Sequence, residues 1–354
     1  MATLLILGSV VFCLLGAEIA GRMIATRATL WSFPNYIEEY RSLFGRGVPM
    51  QFDAGLGHVP RANYKGTDNL EAVMFTFDAN SLRLHHYDRP PPKVETPSIL
   101  VVGDSFAAGG EVEDNSTLPA HLQLLLDRRV HNAAVGGYGL DQIVLRAERE
   151  TPRLKPGIVL ASFIPDDINR SQLRVRSGAP KPYFMIENDA LVLKGVPVPP
   201  PPPDLNKLDP VRKVLGYSYL VDFLMRRTNN LAYWYGGESV DNFAHRDGER
   251  VSCRLMDRLR DLRARTGVRI VVVAQYAPQT WTVPDFAARE LKMAQNQLAC
   301  ARERGLETID TADAVRQAVA GSSLAAIYIN AHMTSRGNKV SAEVIADYLN
   351  RNPG

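Results

Sequence analysis

The chain opens on an unbroken apolar run. Residues 2–17 are sixteen positions without a charge, mostly Leu, Ile, Val, Phe and Gly, and Glu18, Ile19 and Ala20 extend them. That approaches the roughly 20 residues a helix needs to cross a bilayer. Residues 28–97 then read as an irregular, β-leaning preamble. Its apolar pieces, such as Val73-Met74-Phe75, are too short for helices and are broken by Gly, Pro, Asn and Asp, up to a boundary at Pro90-Pro91-Pro92. From Ser98 the pattern becomes strands alternating with helices. Ile99–Val102 and Ile158–Phe163 are continuous apolar runs, as expected of strands buried on both faces. Residues 130–135, 268–274 and Glu307–Asp310 add three more strands. Leu118–Leu126, 140–150, 251–266, 286–304 and 335–349 have helical spacing. Five buried strands separated by helices predict an α/β fold, a doubly wound parallel sheet.

Residues 171–250 interrupt that alternation. The first part, 171–204, reads as a loop with a polyproline stretch at 197–203. Residues 205–236 read as helical, with Tyr219, Leu220, Phe223 and Leu224 on one face. The expected organisation is a membrane anchor at 1–22, the preamble at 28–97, and a catalytic domain at 98–350 whose insertion at 171–250 covers the mouth of the sheet.

Composition narrows the classes. A chain of 354 residues with 45% apolar residues holds an ordinary globular core, and a net charge of +3 without a basic stripe gives no nucleic-acid surface. No Lys or Arg precedes the apolar run and no Ala-x-Ala closes it, which favours a retained anchor over a cleaved signal peptide. Arg22 and Arg27 follow the run, so the positive-inside rule alone would leave the main domain in the cytoplasm. Glu18, one helical turn before Arg22, partly offsets that. The cysteines are Cys13, Cys253 and Cys300, with no CxxC and no Cys/His ligand spacing. A disulfide framework and a zinc site are both disfavoured; Cys253 and Cys300 either pair or remain buried thiols on separate helices. No metal cluster, phosphate loop or dinucleotide fingerprint is present in the sequence, and no cofactor is expected.

Candidate chemistry sits at the end of the first strand, where Gly103-Asp104-Ser105-Phe106 follows Ile99–Val102. In open α/β sheets ligands bind at the carboxyl ends of strands, and a serine opening the next helix has its N–H aimed at the ligand. A hydroxyl becomes a nucleophile when a base takes its proton, and histidine titrates in the right range. Of seven histidines, His332 falls in the loop between the last strand and the last helix, on the same rim as Ser105. His85 and His86 precede the sheet. Asp104 is expected to brace the turn.

These residues resemble the GDSL/SGNH hydrolases, a superfamily with four sequence blocks and a flavodoxin-like sheet. Gly103-Asp104-Ser105 is similar to the first block. Asn132 through Gly139 is similar to the second, with Gly137 at the oxyanion-hole glycine, and Ala331-His332 stands at the fourth. Leu56-Gly57, Asn80 through Arg83, and the stretch from Pro182-Tyr183-Phe184 to Val196-Pro197 resemble membrane-anchored, extracytoplasmic members. The resemblance implies Ser105 as nucleophile, His332 as base, and the N–H groups of Ser105 and Gly137 as oxyanion donors. It also implies a catalytic domain outside the cytoplasm, on the periplasmic side. Two positions depart from the pattern. The third block has an Asn-Asp pair; here Pro165 stands at the Asn, followed by Asp166 and Asp167, with Asn169 one turn later. The family's orienting acid precedes the histidine by two or three residues, where this chain has Asn330 and Ile329. Asn330 can orient a ring without stabilising its charge, and Asp166, Asp167 and Asp310 are the other candidates.

The expected function is hydrolysis of an acyl ester, with acetyl the leading acyl group and carbohydrate esters one candidate class, and with the membrane contacted through the N-terminal helix. Two readings compete with it. One is an O-acyltransferase acting on cell-surface polysaccharide; the other is a catalytically decayed carbohydrate-binding or assembly protein.

Overall fold

The computed structural model describes residues 2–24, 35–38, 49–67, 73–86, 97–200, 208–228, 230–236 and 241–353. The chain divides into two compact units, one comprising 1–46, 175–179 and 201–241, the other 47–174, 180–200 and 242–354.

The larger unit is built on five parallel strands: β1 (Ile99–Val102), β2 (Val130–Asn132), β3 (Ile158–Phe163), β4 (Arg269–Ala274) and β5 (Glu307–Asp310). Their order across the sheet is β2-β1-β3-β4-β5, the flavodoxin-like winding, in agreement with the sequence. Side chains alternate across it as a strand's twofold period requires. Leu100, Val102, Val159, Ala161, Phe163, Ile270 and Val272 face the helices Leu140–Leu154, Gly248–Thr266 and Pro284–Glu303. Ile99, Val101, Ile158, Leu160, Val271, Val273 and Ile309 face Leu118–Leu126 and Ser335–Arg351. Both faces are therefore covered, which is why these strands read as unbroken apolar runs. β2 is shorter than its sequence pattern, but Ala133 N still donates to Val101 O and Val135 N to Gly103 O, so the backbone follows β1 to its carboxyl end.

The described parts of the preamble from residue 49 onward belong to this unit. Leu56, Val59 and Leu82 enter the same core as the sheet, and Arg83 N donates to Asn132 O at 2.9 Å. The Pro90-Pro91-Pro92 boundary lies outside the described residues. Residues 171–204, expected as loop, carry a hairpin, Tyr183–Glu187 with Ala190–Lys194. Its two turn residues, Asn188 and Asp189, both have positive φ (48° and 60°), the mirror-image turn that matches strand twist. Prolines on either side mask this signal in the sequence. Phe184 is buried, and the hairpin packs on the helices Leu140–Leu154 and Gly248–Thr266. Residues 201–207 of the proline-rich stretch lie outside the described residues.

In the smaller unit the single helical segment expected at 205–236 is three short helices, Pro210–Leu215, Tyr219–Arg227 and Leu231–Tyr235. Its core is Ile37, Trp234 and Tyr235. Asp222 is buried at the centre, accepting from Trp234 Nε1 at 2.8 Å and Tyr235 Oη at 2.6 Å and pairing with Arg226 at 2.8 Å. A buried carboxylate is tolerable only with such partners. Its burial turns the opposite side of the helix outward, so Phe223 and Leu224, from the apolar stripe seen in the sequence, are exposed.

Cys253 and Cys300 form a disulfide between the helices Gly248–Thr266 and Pro284–Glu303, with Cα atoms 5.3 Å apart. It closes a loop with a sequence separation of 47 residues. Chain-entropy arguments give such a loop about 4 kcal/mol of stabilisation. The double variant Cys253→Ser/Cys300→Ser is expected to unfold at a markedly lower denaturant concentration than the oxidised protein, and reductant should lower the wild-type midpoint but leave the variant unmoved. Coincident urea curves with and without reductant would show that the bridge contributes nothing.

Candidate active site

Ser105 begins a one-turn helix, Ser105–Ala108, that leaves the carboxyl end of β1 through Gly103 and Asp104. β1 has β2 on one side and β3 on the other, so the strand order reverses here and the crevice opens at Ser105. Asp104 caps the turn, Oδ1 accepting from Phe106 N at 2.9 Å, which is the bracing place expected for it.

His332 reaches the same rim on a short hairpin, Tyr328–Ile329 against His332–Met333. Thr334 follows and caps the last helix, its Oγ1 accepting from Gly337 N at 3.2 Å. His332 Nε2 lies 2.8 Å from Ser105 Oγ. For the hydroxyl to donate there, Nε2 must be the bare nitrogen and Nδ1 must carry the proton. Nδ1 faces Glu111, 3.3 Å from Oε1. This is ion-pair range without hydrogen-bond alignment, since neither Nδ1 nor Glu111 Oε2 has a hydrogen-bond partner. Such contacts are often loose in unliganded sites and tighten with substrate. The imidazole is held in place by Phe106, ring centroids 5.3 Å apart, and by Gly110, where a Cβ would stand 3.3–3.4 Å from three ring atoms. Glycine there is a matter of space for the histidine.

Glu111 is the residue that sequence reasoning missed. The helix opened by Ser105 ends after one turn at Gly109-Gly110, and the chain doubles back with Glu111 beside His332. No spacing rule links it to a histidine so distant in sequence. The four carboxylate or amide candidates weighed for that position lie elsewhere. Asn330 is in the two-residue hairpin turn with φ at 49°, a left-handed conformation that Asn tolerates better than most residues. Asp166 is half exposed and pairs with Arg170 Nε at 2.7 Å. Asp167 is buried, accepting from Ile164 N at 3.0 Å and Arg170 Nη1 at 2.7 Å. Burial, and next the Asp104 charge, push its carboxyl well above the usual range. Asp310 accepts from Tyr276 Oη at 2.8 Å and from Ala312 N. Asn169 makes no hydrogen bond to Ser105 or His332; its carbonyl accepts from Gln172 N.

The segment after β3 contributes instead through Arg170. Its Nη1 donates to Asp104 at 3.2 Å, to Tyr138 O at 3.2 Å and to Asp167, tying together the loops after β1, β2 and β3. Burial disfavours this cation, but Asp167, Asp166 and Asp104 outweigh that and hold it protonated.

The loop after β2 passes directly beside the serine. A Cβ on Gly136 would lie 3.8 Å from Ser105 Cβ, and Gly137 next to it has φ 83°, a turn conformation that costs a residue with a side chain. The preamble supports this loop: His58 Nε2 is 3.3 Å from Gly136 O, and Tyr138 Oη donates to His58 O at 2.6 Å. It also supports the Glu111 loop. Arg83, about 1% exposed, pairs with Asp114 at 2.9 Å and donates to the carbonyls of Ala108, Gly109 and Val112. His85 and His86 are structural here. His85 Nε2 meets Gln123, His86 Nε2 meets Ala120 O, and burial, then the neighbouring His86, lower His85 to about 4.

No family model and no curated protein matches this chain. Among solved structures it is similar to an α/β hydrolase enzyme from the metagenome of Lake Arreo, Spain, at 14% identity, covering 74% of this chain and 97% of that one, with a TM-score of 0.43. It is also similar to a lipolytic protein of the G-D-S-L family from Desulfitobacterium hafniense, at 12% identity over 71% of this chain and 99% of that one, TM-score 0.39. A third is a catalytic mutant of an acetylxylan esterase from Geobacillus stearothermophilus, at 12% identity over 72% of this chain and 95% of that one, TM-score 0.41.

Proposed function

We propose that the chain is a serine ester hydrolase of the GDSL/SGNH type, with a Ser105–His332–Glu111 triad in which the acid is supplied from the serine's own loop. The observation that carries this reading is the 2.8 Å contact of His332 Nε2 with Ser105 Oγ, with Glu111 at 3.3 Å on the other ring nitrogen. Ser105 Oγ attacks the acyl carbon and its proton passes to Nε2. The oxyanion gathers hydrogen bonds from the N–H groups of Ser105 and Gly137, donors worth roughly 3–4 kcal/mol each where they have been removed singly. His332 then returns the proton to the leaving alcohol, leaving Ser105 acylated. A water deprotonated by His332 releases the acid. Glu111 fixes the ring tautomer and stabilises the imidazolium while the proton is on it. A carboxylate beside the histidine disfavours the reading of a decayed, binding-only site.

The motif resemblance at Gly103–Ser105, Gly137 and His332 supports acyl-ester chemistry, and acetyl esters, carbohydrate-borne ones among them, are the substrates we put to the test. We place the catalytic unit on the oxidising side of the membrane. The Cys253–Cys300 bridge supports this, since disulfides persist in oxidising compartments. Pairing of Arg22 with Glu18 at 2.7 Å weakens the charge argument for the opposite orientation.

Ser105→Ala is expected to lower kcat on p-nitrophenyl acetate by on the order of 10⁴–10⁶-fold. Its thermal midpoint should stay unchanged, and a fluorophosphonate probe should label wild type at Ser105 alone. Wild-type turnover by the purified variant would sink the assignment. Acetylated xylo- or gluco-oligosaccharides, compared with butyryl and longer esters, test the substrate class.

Glu111→Gln separates the triad from a two-residue site. Removing the charge is expected to lower kcat by on the order of 10²–10⁴-fold. Asn330→Asp, which places a carboxylate in the hairpin turn instead, should leave kcat unchanged. Wild-type kcat for Glu111→Gln, or a large gain for Asn330→Asp, would return the role to the hairpin.

A further inference from the structure

Within the smaller unit, the apolar N-terminal helix is fastened at its carboxyl end to two short helices. The helix Ala2–Ile24 holds an apolar stretch, Thr3–Met23, of mean hydropathy 2.2, whose residues 3–17 are all exposed. Near its end, Glu18 accepts from Tyr219 N at 2.8 Å, Leu220 N at 2.9 Å and Ser218 Oγ at 2.8 Å, and so caps the helix Tyr219–Arg227. Arg22, 4% exposed, pairs with Glu18 and donates to Tyr217 O at 2.6 Å. Four partners on one carboxylate and a buried guanidinium make this a built junction rather than a chance contact. It also fixes depth. At about 1.5 Å of rise per residue, the elbow 215–220 sits within roughly 8 Å of the end of the apolar stretch.

The helices that meet at this elbow turn large apolar side chains outward. On Pro210–Leu215 these are Val211, Val214 and Leu215, at spacings of three and four; on Tyr219–Arg227 they are Phe223 and Leu224. Val214 is 72% exposed. Their other sides carry the partners already described, Asp222 with Trp234 and Tyr235. Basic residues border the patch: Lys213 adjoins Val214, and Arg227 lies over the Phe223 ring with its guanidinium carbon 5.5 Å from the centroid. An outward apolar face with basic flanks is unfavourable in water but suits the boundary between acyl chains and headgroups.

We infer that the helices Pro210–Leu215 and Tyr219–Arg227 lie in the interface of the bilayer that the N-terminal helix crosses. Val211, Val214, Leu215, Phe223 and Leu224 rest on the acyl boundary, and Lys213 and Arg227 reach the lipid phosphates. The occupant of this patch is therefore lipid, and the argument for it is continuity. The patch begins where the apolar helix ends, and Glu18 and Arg22 keep it there. Tyr217, at the elbow, falls at the headgroup level where tyrosines collect.

Depth-dependent quenching tests this on the full chain in vesicles of phosphatidylcholine and phosphatidylglycerol. A thiol-reactive fluorophore is placed on native Cys13 and, in a Cys13→Ser background, on Val214→Cys or Phe223→Cys. Fluorescence is compared among plain vesicles, vesicles brominated on the acyl chain near the headgroup, and vesicles brominated near the acyl chain's end. All labelled positions are exposed, so the fold is kept, and turnover of p-nitrophenyl acetate by each labelled chain provides a check. The expected result is loss of about half the signal or more at Val214 and Phe223 with bromine near the headgroup, as for side chains at the acyl boundary, and at Cys13, midway along the apolar stretch, with bromine near the chain end. Deep quenching at Cys13 with no shallow quenching at Val214 and Phe223 would overturn the inference. A Cys13 label quenched by neither lipid would overturn it as well, because the helix would not then be in the bilayer.

Discussion

The geometry of the site depends on a cation buried beneath it. Arg83 lies under the loop that follows Ser105, its charge met by Asp114 and its remaining N–H groups by the carbonyls of Ala108, Gly109 and Val112. A guanidinium without these partners would be costly there, by about 3–5 kcal/mol on the experience of broken buried pairs. The loop without the guanidinium would lose its donor to the carbonyls of Gly109 and Val112, while Ala108 O would keep Asn132 Nδ2 at 3.3 Å. Each therefore holds the other in one arrangement. Because Ser105 stands before that loop and Glu111 within it, the same contact sets both against His332. A preamble residue thereby becomes part of the framework of the candidate site, in keeping with Leu56, Val59 and Leu82 sharing the core of the sheet.

This arrangement accounts for the two departures from the GDSL/SGNH pattern. The hairpin before His332 closes through Asn330 in a left-handed conformation, and the imidazole's other nitrogen looks away from that turn toward the loop after Ser105. On the proposed reading a carboxylate serves Nδ1, and chemistry does not dictate which segment delivers it. The segment after β3 is likewise reassigned. Pro165 opens its short helix, and the reach into the site comes from Arg170 at the far end, which binds Asp104 and the Tyr138 carbonyl. Three carboxylates around one cation then lock the loops at the carboxyl ends of β1, β2 and β3 together.

The smaller unit follows a separate logic. Its core is small, organised around Asp222, and Val211, Val214, Phe223 and Leu224 outside that core are exposed. A soluble domain of that size would bury Phe223 and Leu224. Here the buried carboxylate takes the inner face and leaves the outer one apolar, an arrangement that makes sense against lipid.

The sequence by itself determined the sheet. Strands covered on both faces must be apolar throughout, so Ile99–Val102, Ile158–Phe163 and 268–274 could be read without their neighbours, and their alternation with helices implies the winding. Ser105 was legible because its place at a strand's end is local, and His332 because it precedes the last helix. The N-terminal apolar run was equally plain, since spanning length is a count of residues. Only the tertiary structure decided what depends on distant segments meeting. Glu111 faces His332 because a one-turn helix ends at Gly109-Gly110, a matter of three-dimensional path that no periodicity records. Cys253 and Cys300 pair because two helices pack side by side, and spacing in the chain does not fix that. Burial of Asp222 decided which side of the helix Tyr219–Arg227 faces out, and a hydrophobic stripe alone does not say whether it meets a core or a membrane.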